Sequence, residues 1–236
     1  MPTQATQQAI LHLRDVHYEI PSDDQILTIL KACNLEVQAE ETLAIIGRSG
    51  SGKSTLLTLM AGLDLSTSGE IELLGSNLNL QTEDQRAIVR AQKVGFIFQN
   101  FQLMPSMTAL ENILMPLELF QIEGAKDKAL AALERVGLKH RAHHRPAELS
   151  GGEQQRVAIA RAFVTQPKVL FADEPTGNLD EETAQQIQSL LFELNRTLKT
   201  TLILVTHDRE FAQKCGRVVQ LVHGALTPFE DEQVQA

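Results

Sequence analysis

The stretch "LAIIGRSGSGKSTLLTLMAGL", Leu43 to Leu63, runs from an apolar tetrad through a glycine-rich turn into a helical pattern. Strand, turn and helix in that order make a phosphate site of "GRSGSGKST", that is Gly47, Arg48, Ser49, Gly50, Ser51, Gly52, Lys53, Ser54 and Thr55. Amides of the turn and the helix amino terminus point at phosphate oxygens, Lys53 reaches the β and γ groups, and Ser54 is placed to hold magnesium. Glycine is needed because side chains would block that approach. A plain tight turn also uses glycine, but it has no need of Lys-Ser in succession.

Outward from this stretch, "VLFAD" (Val169 to Asp173) and "TLILVTH" (Thr201 to His207) are apolar until they end in polar residues, as strands buried on both faces do. Between them Ile187, Leu190, Leu191 and Leu194 recur at helical spacing, which gives a βαβ unit of a parallel sheet. Upstream, the alternating Ile10, Leu11, Leu13, Val16 and Tyr18, with "LEVQAEETLAIIG" and "SGEIELLG", predict an antiparallel sheet with one solvated face. Residues from about 100 to 165 are mainly helical by pattern, "GAKDKALAALERVG" most clearly, and are expected to form an inserted lobe. "RVVQLVHGALTPF" reads as two short strands around His223 and Gly224. The expected fold is α/β, a P-loop NTPase parallel-sheet core with an antiparallel β subdomain and a helical lobe, as one domain over 1–236.

Composition agrees with a packed enzyme-sized domain. The 236 residues are 43% hydrophobic, enough for a proper core. With 21 Lys+Arg against 30 Asp+Glu, net −9, the surface is not one made for nucleic acid, which needs clustered cations. Cys33 and Cys215 lie far apart without metal-ligand spacing and read as buried thiols of a reducing compartment. "MPTQATQQA" lacks a basic n-region and "EDEQVQA" is polar, so both read as solvated tails. No run approaches the ~18 apolar residues of a membrane span, so any membrane role is expected to come through a partner.

The remaining chemistry sits at strand ends and helix starts. Asp173 can bind magnesium through its water shell, and Glu174 can align or deprotonate an attacking water. Adjacent carboxylates are often only a solvated pair; an apolar strand that delivers them and the Pro175 that follows favour catalysis. His207 is either structural or reaches the γ-phosphate from its strand end. Gln99, after "VGFIF", is either an ordinary strand-end amide or a contact to magnesium and water. "KHRAHHR" (Lys139 to Arg145) holds three histidines, but its interleaved cations repel a metal, so a solvated basic loop is expected. Phe101 to Pro116, rich in Met and Leu, suits either a partner-gripping groove or a helical core.

"LSGGEQQR", Leu149 to Arg156, then supplies a second anion-binding helix terminus, with Ser150, Gly151 and Gly152 opening "GEQQRVAIARAFV". A capping box of Ser150 and Glu153 explains the serine and the glutamate but not two consecutive glycines. A second phosphate-binding end is useful if it closes over nucleotide held by another molecule.

"GRSGSGKST", Gln99, "LSGGEQQR", "VLFADEP", "NLD" (Asn178 to Asp180) and His207 follow the order of the ATP-binding subunits of ABC transporters, which the chain resembles from about Ile10 to Leu226. The resemblance implies ATP and Mg2+ as cofactors, with magnesium at Ser54, Gln99 and Asp173, and Glu174, Gln99 and His207 as catalytic residues. It also implies a head-to-tail homodimer in which ATP on one copy's glycine loop is covered by Ser150 and Gly152 of the other. "FIFQNFQLMPSMTALENILMP" and "ADEPTGNLD" are similar to the branch of lipoprotein-releasing ATPases and macrolide exporters, and within it most similar to an export ATPase. In that branch the ATPase joins an integral membrane permease subunit with a large extracytoplasmic domain, which implies a cytoplasmic, peripheral position on the inner face of a bacterial cell membrane. The family stacks an aromatic residue on adenine; here Ile20 takes that position, with Tyr18 two residues earlier. ABC-type ATPases of DNA maintenance carry long insertions between the two glycine motifs, and those of translation carry two cassettes. This chain has room for a helical lobe and one cassette, and its Lys53 and Glu174 disfavour a non-enzymatic binding module.

Overall fold

The computed structural model describes residues 9–22 and 25–229; apart from Ala9, both tails lie outside the described residues. In chain order the elements are β1 (Ala9–Ser22), β2 (Gln25–Gln38), β3 (Thr42–Ile46), α1 (Lys53–Met60), β4 (Ser68–Leu73), β5 (Ser76–Asn77), α2 (Glu83–Lys93) and β6 (Val94–Ile97). There follow α3 (Ala109–Leu119), α4 (Ala125–Arg135), α5 (Gly151–Phe163), β7 (Val169–Asp173), α6 (Glu181–Leu198), β8 (Thr201–Thr206), α7 (Arg209–Gln213), β9 (Arg217–Val222) and β10 (Ala225–Pro228). They fall into two compact units, the chain passing from one to the other after Arg86 and returning after Leu202.

The first unit contains an antiparallel sheet of order β2-β1-β4-β5. Buried Leu11, Leu13 and Val16 of β1 pair with Val37, Leu35 and Cys33 of β2, and Leu11 and Leu13 also pair with Leu73 and Ile71 of β4. The polar residues between them, such as Asn34 and Glu36, face solvent, so the period-two pattern decides which face is core. A second set of strands runs β10-β9-β3-β8. Here β3 is parallel to β9, with Leu43 opposite Arg217 and Ile46 opposite Gln220, and Leu43 to Ile46 are all buried. The glycine turn therefore springs from a strand that has no solvated face.

In the second unit β6 is parallel to β7, Val94 opposite Val169 and Ile97 opposite Ala172. Gly95 is required there, because a Cβ would stand 2.6 Å from the Ala162 carbonyl oxygen of α5. The helical stretch begins at Ala109 rather than near residue 100, since Phe101 and Gln102 hold left-handed φ of 57° and 47° that no helix accepts. Cys33 and Cys215 are free, buried thiols; burial raises the pKa of Cys33 and pushes that of Cys215 up to about 12. Among the described residues no helix is long and apolar enough to cross a membrane.

Candidate functional site

The glycine turn is held by a close approach at Gly47 and by an inward-turned cation. A Cβ on Gly47 would meet both the Leu221 carbonyl oxygen and Ser51 Oγ at 2.7 Å. Gly50 and Gly52 have φ of 77° and 97°, and Gly52 opens α1 with no side-chain cap. Lys53, only 8% exposed, donates from Nζ to the carbonyls of Gly47 at 2.9 Å and Arg48 at 3.1 Å. Ser51 Oγ is buried without a hydrogen-bond partner. An orphaned hydroxyl beside an ammonium and an uncapped helix start fits a phosphate oxygen, which would satisfy all three. Arg48, Ser49 and Ser54 are exposed, Thr55 half-buried. His207, exposed, follows directly on β8, the strand beside β3. Asp208 then caps α7 by accepting from Phe211 N at 3.0 Å. Tyr18, earlier in this unit, donates to Asp64 at 2.7 Å, and this hydrogen bond holds its phenol above the usual pKa, while Ile20 is 36% exposed.

In the second unit β7 ends at Asp173, and Glu174 follows with a left-handed φ of 45°. The turn is held twice: Gly177 N donates to the Glu174 carbonyl at 3.0 Å, and buried Gln155 of α5 donates to the Pro175 carbonyl at 2.6 Å. Strain held in place by surrounding contacts is typical of a working residue. Gln99 is brought to the same turn. Asn178 Nδ2 donates to the Gln99 carbonyl and to Asn100 Oδ1, each at 3.0 Å, and Gln99 Nε2 reaches Asn178 Oδ1 at a long 3.5 Å. A Cβ on Gly177 would lie 3.1 Å from Gln99 Nε2 and 3.5 Å from Glu174 Cβ, so the Gln99 amide and the root of the Glu174 side chain flank one glycine.

At the start of α5, Ser150 Oγ accepts from Glu153 N at 3.2 Å and Glu153 Oε2 accepts from Ser150 N at 2.8 Å, a complete capping box. The Ser150 amide is the main cause that holds the Glu153 carboxyl below its usual pKa, and Arg141 Nε adds a bond at 3.2 Å. The glycines divide. A Cβ on Gly152 would stand 2.5 Å from Thr183 Cγ2 of α6, so packing requires a glycine here whether or not a phosphate approaches it. On Gly151 it would meet only Leu179 Cδ2 at 3.4 Å and Phe101 Cζ at 3.9 Å, an ordinary fit. The "KHRAHHR" loop acts as a brace: Ala142 and His144 carbonyls accept from Leu110 N and Ala109 N at the start of α3, and His144 Nε2 lies 3.1 Å from Arg141. No three His, Cys, Asp or Glu among the described residues gather as metal ligands. Arg161 of α5, which no sequence motif marks, donates to the carbonyls of Gln102 at 2.7 Å and Phe101 at 3.0 Å.

Buried strands that end in a phosphate cradle and in a carboxylate pair are the mark of the P-loop ATPases. The family within that class is equally definite. The pattern of ABC transporters matches residues 30–177, and the chain belongs to that family as an ATP-binding, ATP-hydrolysing subunit. It is 50% identical over 219 residues to the ABC transporter ATP-binding protein YbbA of Escherichia coli K12, covering 92% of this chain and 96% of that one. It is 46% identical over 223 residues to the lipoprotein-releasing system ATP-binding protein LolD of Pseudomonas fluorescens, covering 94% and 98%. Among solved structures, the ATP-binding cassette MJ0796, in a dimeric post-hydrolysis state bound to ADP and Pi, matches with a TM-score of 0.85 at 37% identity, over 94% of this chain and 99% of that one. A role in DNA maintenance or translation is not favoured.

Proposed function

We propose that the subunit works as a head-to-tail homodimer in which ATP on Gly47 to Thr55 of one copy is covered by Ser150, Gly151 and Gly152 of the other. The observation that carries the phosphate end is Ser51 Oγ, buried and unpartnered beside Lys53 in the cradle. In this reading Lys53 holds the β and γ phosphates, Glu174 orients and deprotonates the attacking water, and Gln99 and His207 attend the γ-phosphate. Ser54, Gln99 and Asp173 offer only oxygen donors, which suits Mg2+, and a bound Mg2+ neutralises phosphate charge. The dimeric MJ0796 cassette with ADP and Pi supports the shared arrangement.

The partner is an integral membrane permease subunit with a large extracytoplasmic domain, and the complex sits on the cytoplasmic face of a bacterial cell membrane. The similarity to YbbA and to LolD of a lipoprotein-releasing system supports this. Met104, 43% exposed, and half-buried Leu103 and Met107 precede α3, whose Ala109, Leu110, Ile113 and Leu117 are buried. The segment thus divides into a surface part fit for the permease and a core part. The test is Glu174→Gln. It is expected to bind ATP and to run as an ATP-dependent dimer in gel filtration, with turnover lowered about 10²–10⁴-fold, the usual loss with a general base. Parent-like hydrolysis would remove Glu174 from the chemistry.

A further inference from the structure

The turn after Gln99 places two successive non-glycine residues, Phe101 and Gln102, in the left-handed region with φ of 57° and 47°. Side chains resist that conformation, and two in a row need an external hold. The carbonyls of both accept from one guanidinium, Arg161 of α5, NH1 to Gln102 at 2.7 Å and NH2 to Phe101 at 3.0 Å. Each carbonyl is met by its own nitrogen of a rigid planar fork, whereas a lysine at this position would have to hold both from the single Nζ of a shorter, flexible chain. The conformation has a reach beyond the turn. It lays the Phe101 ring beside Gly151, with Cζ 3.9 Å from where a Cβ would stand, at the end of α5 that Ser150 caps. On the other side Asn178 grips Gln99 and Asn100. We propose that Arg161 is a positioning residue for ATP hydrolysis: by clamping the strained Phe101–Gln102 pair it sets Gln99 and the Ser150–Gly151 terminus in step, so that movement of this one turn moves both. The proposal rests on the roles given above to Gln99 and Ser150.

Arg161→Lys keeps the charge and loses the fork, and Gln102→Gly, at an exposed side chain, lets the backbone adopt its φ freely. Arg161→Lys is expected to lower kcat roughly tenfold with KM for ATP within about twofold, the signature of lost organisation rather than lost substrate binding. Arg161→Lys with Gln102→Gly is expected to recover kcat to within about threefold of the parent, because glycine needs no clamp. In amide spectra of the nucleotide-free protein, Arg161→Lys should shift the Gly151 resonance as the Phe101 ring moves, and Gln102→Gly should return it. A kcat that Gln102→Gly does not restore, a rise in KM with kcat intact, or an unmoved Gly151 resonance each overturns the clamp. Should Arg161→Lys not fold, Phe101→Leu removes only the ring; parent-like kcat and Gly151 resonance in that variant overturn it equally. The spectra need no turnover, so they separate failure of the clamp from failure of the roles given to Gln99 and Ser150.

Discussion

Gly152 has a neighbour problem before it has a ligand. With Thr183 Cγ2 only 2.5 Å from the place of a Cβ, Gly152→Ala is expected to destabilise the fold by about 1–3 kcal/mol, the usual range for overpacking. Thr183→Ser removes the offending methyl and keeps the backbone N–H that Asp180 Oδ1 accepts at 3.0 Å. Urea unfolding of Gly152→Ala with Thr183→Ser should therefore return to the parent midpoint, while ATPase activity stays low if Gly152 also faces the partner's nucleotide. Recovery of both would leave packing as its whole role. The placement of Lys53 at a strand-to-helix turn and of Glu174 at a strand end is legible because type, spacing and the strand before them are all local in sequence. The packing of Gly152, the grip of Asn178 on Gln99 and the fork of Arg161 were not, because each is defined by a neighbour distant in sequence.

At the level of elements, three helices of the second unit begin with an oxygen that caps them. Thr108 and Glu111 form a box at α3, Ser150 and Glu153 at α5, and Asp180 accepts from Thr183 N at α6. Backbone N–H groups, first among the causes, hold the carboxyls of Glu111, Glu153 and Asp180 below their usual pKa. A depressed folded-state pKa contributes stability that is complete above the unfolded value and is lost as pH falls through the folded one. The melting temperature is thus expected to fall on acidification below about pH 4, the ordinary carboxylate range, and to fall less in Glu153→Gln, whose amide oxygen accepts at any pH. Equal acid sensitivity of parent and variant in circular dichroism melts would deny Glu153 that share. The α3 start is written in "TALE", a capping-box pattern, whereas apolar density alone does not reveal the left-handed turn that precedes it. The acidic first turn and basic last turn of α2 mark a helix that buries little apolar surface. Strand alternation is legible in β1, β2 and β4, where one buried face imposes period two, whereas "TLAII", expected in the same antiparallel sheet, runs parallel to β9 and is buried from Leu43 to Ile46.

For the whole molecule, a shared site has a consequence that a self-contained one lacks. Lys53→Ala removes the cation that holds phosphate and Ser150→Arg blocks the covering helix end, so each homodimer should be inactive. In the mixed dimer one site collects both defects and the other is intact, so ATP-dependent dimerisation, and with it ATPase activity, should rise above either mutant alone. If the copies exchange and neither quantity rises, each chain works by itself. The pairing of β3 with β9 bears on how such a chain is made. Leu43 needs Arg217, Ile46 needs Gln220, and Gly47 is backed by the Leu221 carbonyl, whereas the second unit is one continuous piece from Ala87 to Leu202. A ribosome therefore delivers Ser51 and Lys53 early and their backing strand late, and parallel pairing over so long an interval closes slowly. The nascent chain can finish its signature helix and carboxylate turn while the cradle is still open on one side. Nucleotide binding is then acquired only after β9 has been made, which on the shared-site reading keeps a chain still lacking β9 from drawing a finished one into an ATP-bound pair.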